Sequence, residues 1–343
     1  MKQHTIQPFY FPTTVVFVDD SAPFLANLSL QLDPHLAFKL FHSPFAALSA
    51  LNHEHAATPI DSDFFSLYAH REDARYADHI IQMSLDKVHR EVHNEHRFEQ
   101  VSVVVVDYDM PEMNGLEFCR QLKNPNIKKI LLTGKADEQI AVQAFNAKTI
   151  DHFIRKQDSG AMALLNHTIV KLQQEYFQHM AHMLSRALSV GSHVFLRDPS
   201  FAQRVYEIQQ QLGIVEHYLT CAPNGILMLD ATGNTYLLLV QDAASMQEVY
   251  EIAYDQVAPD ELLTKLRSGR YLPYFWKTEG HYASIYSDWQ TYLHAATEVQ
   301  SENAYIYAVI QNPEGFNRSY VVSYNDYLER LDHGTIKQSP AAV

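Results

Sequence analysis

The residues with the clearest chemical potential are acids that end apolar runs. Val103 to Val106 leads into Asp107, and Met110-Pro111 and Gly115 follow. Thr14 to Val18 leads into Asp19-Asp20. An acid in such a place can hold a metal, accept a phosphoryl group or cap the next helix. Two further runs end in other functional groups: Ile127 to Leu132 in Thr133-Gly134, and Ile150 to Ile154 in Arg155-Lys156. Carboxylates, a hydroxyl and a lysine thus recur at one kind of position.

The elements that must place them follow from the same runs. A continuous β-branched stretch such as Val103 to Val106 suits a strand buried on both faces. Ser21-Ala22-Pro23 opens a helix after the acid pair, with Ser21 as N-cap and proline in the first turn, where its missing N–H costs nothing. Each of the four strands is followed by a helix-like stretch. That alternation predicts a parallel α/β sheet, which gathers the C-terminal strand ends along one edge.

On these residues the stretch from 12 to about 175 resembles the receiver domain of two-component response regulators. The motifs that carry the resemblance are Asp19-Asp20, Asp107 with Met110-Pro111 and Gly115, Thr133-Gly134, and Lys156, all in the family's order. It implies a flavodoxin-like, doubly wound sheet of five parallel strands. It also implies roles: Asp20, Asp107 and the backbone carbonyl of Asp109 hold Mg²⁺, with Asp19 acting through water. Asp107 accepts the phosphoryl group from a sensor histidine kinase or a small phosphodonor, Lys156 is the fixed cation, and Thr133 the mobile hydroxyl. Phe153 occupies the aromatic switch position. The chemistry suits these types, because crowded carboxylates repel and a hard cation with oxygen ligands relieves them. Gln157 stands where the family usually has proline, and Lys148-Thr149-Ile150 replaces its usual Gly-Ala-Asp.

The receiver carries an insertion. Between Leu51 and Val101 lie about forty residues more than the family needs, an insertion over about 53–100 that is too long for an ordinary connection. His53 to Phe64 is turn-rich, and Arg71 to Arg97 reads as a helix with Ile81, Leu85, Val88 and Val92 on one stripe. Seven histidines fall here, of which His89, His93 and His96 share one helical face compatible with metal ligation. Alternation of His, Glu, Arg and Asn also describes a solvated face, the stronger reading, so the stripe is assigned to docking or dimerisation. From Gly160 to Ser189 one long helical pattern runs through Leu165, Ile169, Leu172, Tyr176 and Met180. Its first half serves as the receiver's last helix and its second half as a linker or short coiled coil reaching about residue 190, with a break at Ser189 to Ser192.

Residues 193 to about 340 form a second, α+β domain around an antiparallel sheet. A helix is expected over Pro199 to Gly213, then strands Val215 to Cys221, Gly225 to Asp230 and Thr235 to Gln241 joined by tight turns. Helices at Ala243 to Asp255 and Asp260 to Arg267 follow, with further strands at Tyr305 to Ile310 and Tyr320 to Tyr324. Asn224 to Asp230 faintly echoes sensory PAS domains, a phrase any hairpin could produce. This half with the long helix distantly resembles output regions of the Lqs quorum-sensing type of response regulator.

Charge constrains what the second half binds. The chain of 343 residues has a formal net charge of −14; residues 160 to 343 contribute −8 and the first 159 contribute −6. A nucleic-acid reader normally presents a basic stripe. Arg267, Arg270 and Lys277, near Trp276, are the one cationic-aromatic cluster found. Such a cluster suits base stacking, a small ligand or a core. Three output readings stand: a protein- or ligand-binding module, a nucleic-acid-binding regulator, or an enzyme. The last has least support, since no Gly-rich phosphate loop, HExxH or GxSxG occurs. The two cysteines, Cys119 and Cys221, make no disulfide framework, which with the lack of a membrane-length apolar run or signal h-region predicts a cytoplasmic protein. The expected molecule is a Mg²⁺-dependent phosphoacceptor that forms a homodimer.

Overall fold

The computed structural model describes residues 5–52, 65–70, 78–134, 138–181, 184, 188, 193–299, 301 and 303–333. The turn-rich His53 to Phe64 stretch and the break at Ser189 to Ser192 lie outside them. The chain forms two compact units from interleaved segments. One draws on the described parts of residues 12–62, 96–180 and 326–343, the other on those of 1–11, 63–95 and 181–325.

The first unit is a five-stranded parallel sheet. In spatial order its strands are Phe38–Phe41, Thr14–Val18, Val101–Asp107, Lys128–Thr133 and His152–Arg155, which is order 2-1-3-4-5 within the unit. The two β-branched runs take the middle positions, where both faces are covered and no side chain need meet water. Alternate residues feed opposite cores. Val16, Val18, Val104, Val106 and Leu131 pack with Ala47, Leu48, Leu116, Cys119, Ala141 and Ala144 from helices Pro44–Leu51, Gly115–Gln121 and Glu138–Asn146. Val15, Phe17, Val103, Val105 and Ile154 pack with Leu25 and Leu28 of helix Ala22–Ser29 and with Leu165, Ile169 and Leu172 of helix Ala161–Met180. This sandwich is the doubly wound fold the strand endings imply.

Register brings the chemistry to one edge. Val18 lies opposite Val106 and Phe41, Asp107 opposite Leu132, and Thr133 opposite Arg155. The residues that follow Val18 and Arg155 are Asp19 and Lys156, so all four functional endings emerge together. Gly115 is required just below, because a Cβ there would lie 2.3 Å from the Asp107 carbonyl oxygen and 2.8 Å from Leu131 Cδ1. The opposite end of the sheet is closed by helix Tyr324–Asp332. Tyr327, 2 % exposed, shares a 2.6 Å hydrogen bond with the Thr14 hydroxyl, which donates to the Phe98 carbonyl, and its ring lies 5.5 Å from that of Phe98.

The second unit is a six-stranded antiparallel sheet in the order Phe9–Tyr10, Ile214–Cys221, Asn224–Asp230, Thr235–Asp242, Tyr305–Gln311, Thr297–Val299. Cys221 pairs with Asn224, leaving a two-residue Ala222-Pro223 turn. Helix Pro199–Leu212 starts where the Asp198 carboxylate accepts the Phe201 N–H at 2.8 Å and ends at Gly213 in the left-handed conformation, φ 63°. Helices Ala243–Asp255 and Asp260–Arg267 pack Val249, Ala253, Leu262 and Leu266 around Phe275, Tyr286 and Trp289. The aromatic-rich region is thus largely core. Among the described residues no helix is long and apolar enough to cross a membrane.

Two expected elements are corrected. Arg71 to Arg97 is not one helix: Asp78–Met83 is a strand paired with Phe65–His70, and the helix is confined to Leu85–Arg90, followed by 3₁₀ turns at Glu91–His93 and Arg97–Glu99. Of the stripe, Leu85 and Val88 share the short helix and Val92 lies in the 3₁₀ turn after it; Val88 and Val92 are fully buried, the short helix lying along the Ile214–Cys221 strand. Tyr320 to Tyr324 is not a strand. Arg318–Tyr320 is a 3₁₀ turn capped by the Asn317 side chain, which accepts the Ser319 N–H at 3.0 Å, and Tyr324 already begins a helix.

Two measurements test these packing arguments. Gly115→Ala is expected to lower stability by about 2 kcal/mol or more in urea denaturation, because the added methyl meets backbone rather than a flexible side chain. His217 supplies a pH test. Its Nδ1 accepts from Gln209 Nε2 at 3.2 Å and its Nε2–H donates to the Gln7 carbonyl at 3.0 Å, so the neutral ring is the bonded form. Burial pulls its pKa down to about 4. The unfolded chain therefore binds the proton first, and stability falls as pH drops from about 6.5 to about 4, by at most about 3 kcal/mol from this group. His217→Gln should flatten that part of the curve of denaturation midpoint against pH.

Candidate functional site

The acidic edge is assembled by short local rules. Asp19 leaves the first strand pointing inward, 1 % exposed, and its Oδ1 accepts the Ser21 N–H at 2.9 Å. Asp20 is exposed. Ser21 Oγ accepts the Phe24 N–H at 3.3 Å and starts the helix. Asp107, 7 % exposed, ends the central strand, and the Gly115 N–H donates to the Tyr108 carbonyl at 3.0 Å, folding the Asp109–Asn114 loop back over it. Asp109 itself is exposed.

One carboxylate oxygen from each of Asp19, Asp20 and Asp107 lies within 4.8 Å of the others. Lys156 Nζ donates to Asp19 Oδ2 at 2.7 Å and to Asp107 Oδ1 at 2.9 Å. A single ammonium therefore serves two buried carboxylates. Burial pushes the Asp107 carboxyl above its ordinary value, against the Lys156 hydrogen bond and charge, and the Asp19 charge adds to the rise. For Lys156 burial acts downward, yet its hydrogen bonds to Asp107 and Asp19 outweigh it and raise the ammonium's pKa. Three carboxylates facing one ammonium leave excess negative charge, and the donors are all hard oxygens. Residues of this kind fit a hard divalent cation.

Thr133 is wholly buried on the neighbouring strand, and its Oγ1 has no hydrogen-bond partner among the described residues. A buried hydroxyl left in this state costs free energy that a polar ligand would recover. Phe153 is half-buried, its ring edge-on to Phe145 at 6.5 Å. Val142 and Phe145, three residues apart on the Glu138–Asn146 helix, are 42 % and 45 % exposed.

The other sequence candidates are not brought together. His89 and His93 lie against Phe316, with ring centroids 6.2 and 5.4 Å away, while His96 Nδ1 meets Glu99 Oε1 at 2.9 Å in the parallel-sheet unit. The acid trio is the one metal-compatible cluster among the described residues. Arg267 donates to the Tyr250 hydroxyl and covers that ring at 4.6 Å; Lys277 lies over Trp276 at 5.2 Å. Trp276 donates to Glu314 Oε2 at 3.2 Å, and Arg270 is exposed. Arg267 is thus engaged with Tyr250 of the Ala243–Asp255 helix, while Lys277 and Trp276 lie together and Trp276 reaches the acidic Glu314.

One neighbour escaped the motif reading. The Phe24 ring lies 4.3 Å from Lys156 Nζ. Its only sequence signal is an aromatic residue just after Ser21-Ala22-Pro23, which reads as capping.

Comparison with known proteins agrees with this geometry. The response regulator receiver domain family matches residues 79–165. No curated protein matches the sequence. Among solved structures, the Legionella pneumophila response regulator LqsR is 38% identical, with 98% of this chain and 100% of that chain covered at a TM-score of 0.78. An uncharacterised protein from Neptuniibacter caesariensis is 23% identical over 50% of this chain and 93% of its own, TM-score 0.34. A response regulator receiver domain protein from Clostridium thermocellum is 16% identical over 49% and 95%, TM-score 0.30. Identity above one third across nearly the whole of both chains, together with the receiver sheet and its acidic edge, shows that this chain belongs to the response regulators with a receiver domain.

Proposed function

We propose that this response regulator accepts a phosphoryl group on Asp107 from a sensor histidine kinase and passes the signal on through dimerisation. The observation that carries the reading is the Lys156 ammonium bonded to both Asp19 and Asp107 beside a third carboxylate. An Asp107 oxygen forms the new O–P bond while the donor's P–N bond, or P–O bond for acetyl phosphate, breaks; the leaving group departs with that electron pair. Lys156 offers fixed positive charge to the phosphoryl oxygens. Thr133 offers its buried hydroxyl to one of them, which gives the orphaned group its partner. Asp19, Asp20, Asp107 and the Asp109 carbonyl would hold Mg²⁺, which when bound neutralises oxygen charge during transfer.

Phosphorylation would draw Thr133 toward the site and free space for Phe153 to turn inward. That would reshape the surface carrying the exposed Val142 and Phe145, the second of which meets the half-buried ring edge-on. A second copy of the chain is the partner proposed for this surface. The antiparallel-sheet unit is assigned to binding a protein or small ligand. Its acidity and the burial of most of its aromatics support this over nucleic-acid recognition. The similarity to a Legionella regulator extends over this unit as well, and on the same reading the protein works in the cytoplasm, without contact with a membrane.

Two outcomes are expected. Labelled acetyl phosphate with Mg²⁺ should mark the wild type and not Asp107→Asn, and chelation with EDTA should abolish labelling. Retained label in Asp107→Asn would move the acceptor elsewhere. In light scattering, beryllofluoride should shift the wild type toward twice its mass and leave Asp107→Asn unchanged; identical masses would remove dimerisation from the reading.

A further inference from the structure

Lys156 has an unusual task. It leaves the edge strand His152–Arg155 and must reach past the Thr133 strand to the two carboxylates beyond. Its side chain has four rotatable bonds, and immobilising such a chain costs on the order of 2 kcal/mol of entropy. The ammonium has three N–H donors. Two are taken by Asp19 at 2.7 Å and Asp107 at 2.9 Å. On its remaining side stands the ring of Phe24, 4.3 Å from Nζ to the centroid.

Phe24 and Lys156 also share the wall of a cleft of about 460 Å³, completed by Asn27, Gln31, Asp158 and Gly160. That cleft presents the lysine with an alternative. Asp158 is an exposed carboxylate there, held by Arg155 Nε at 3.0 Å. A lysine free to swing outward would find water and this acid instead of the buried pair. The aromatic face attracts the cation and keeps water from that side, and such contacts strengthen when desolvated. Phe24 is itself fixed: its backbone N–H is capped by Ser21, and its ring packs at the border of the core formed by Leu25, Leu28 and Leu165.

We infer that Phe24 is a positioning residue that holds the Lys156 ammonium toward Asp19 and Asp107 by presenting its ring face to the third side of the cation. It acts through Lys156 and does not itself meet the phosphoryl group. The consequence for phosphoryl binding rests on the reading of Asp107 as phosphoacceptor. The placement of the lysine does not.

The test uses the full-length chain with Phe24→Leu, which keeps an apolar side chain without the π face, and with 3,4,5-trifluorophenylalanine at the same position, which keeps the shape and weakens the face. The first readout is the proton shift of the Lys156 ε-methylene in the unphosphorylated protein. A ring this close should move it upfield, and the displacement should vanish in Phe24→Leu and persist with the fluorinated ring. The second is the concentration of beryllofluoride, with Mg²⁺, that half-saturates the protein. Roughly three- to tenfold weaker binding is expected for Phe24→Leu, with an intermediate value for the fluorinated ring. Equal beryllofluoride binding in all three, or a Lys156 shift indifferent to the ring, would overturn the inference. Weakening by Leu with no effect of fluorination would also overturn it, since packing alone would then explain the loss. If the wild type binds no beryllofluoride while the Lys156 shift responds to the ring, the acceptor reading fails and the placement stands.

Discussion

The rest of the structure depends on a shortage of positive charge at one sheet edge. Parallel pairing forces the ends of neighbouring strands together, and here three of the groups delivered are carboxylates. Lys156 answers two of them, and burial with the Asp19 charge still lifts Asp107 above its ordinary pKa. An edge so arranged suits a hard cation. Much of the surrounding architecture serves to keep it that way: the glycine that lets a backbone pass under Asp107, the serine that opens the helix beyond the acid pair, and the ring beside the ammonium.

The switching proposed above would draw on the neighbourhood of Thr133, whose buried hydroxyl has no partner among the described residues. A hydroxyl without a partner in a dry interior is an unfavourable arrangement that one movement can relieve. Phe153 is neither buried nor free, in edge contact with a partly exposed phenylalanine.

How much was legible in the sequence differs by element for physical reasons. The four strand endings were readable because a strand buried on both faces permits only apolar residues, so the first polar residue marks its end. Their convergence was readable because parallel strands in a doubly wound sheet have one C-terminal edge. Phe24 was not, since its task depends on where a side chain from residue 156 arrives in space. The insertion misled because Ile81, Leu85, Val88 and Val92 happen to fall at helical intervals, whereas Asp78–Met83 takes its conformation from pairing with Phe65–His70, a long-range term that periodicity does not carry. Of the cationic-aromatic candidates, Lys277 does lie over Trp276, whereas Arg267 covers Tyr250, a residue of another helix that proximity in sequence does not indicate.

The hydrogen bond between Thr14 and Tyr327 spans 313 positions of sequence, and it has a consequence for biogenesis. The strand at Thr14 is synthesised 313 residues before the side chain that closes the lower end of its sheet. Until then Phe98 and the start of that strand lack their cover, so the nascent receiver carries an apolar opening while residues 181 to 325 of the antiparallel-sheet unit are being translated. The last cover of the early domain thus comes from the far end of the sequence, unlike a domain finished before a later one emerges. A receiver cut out at the end of its long helix would keep the same opening, and would be expected to aggregate more readily than the intact protein.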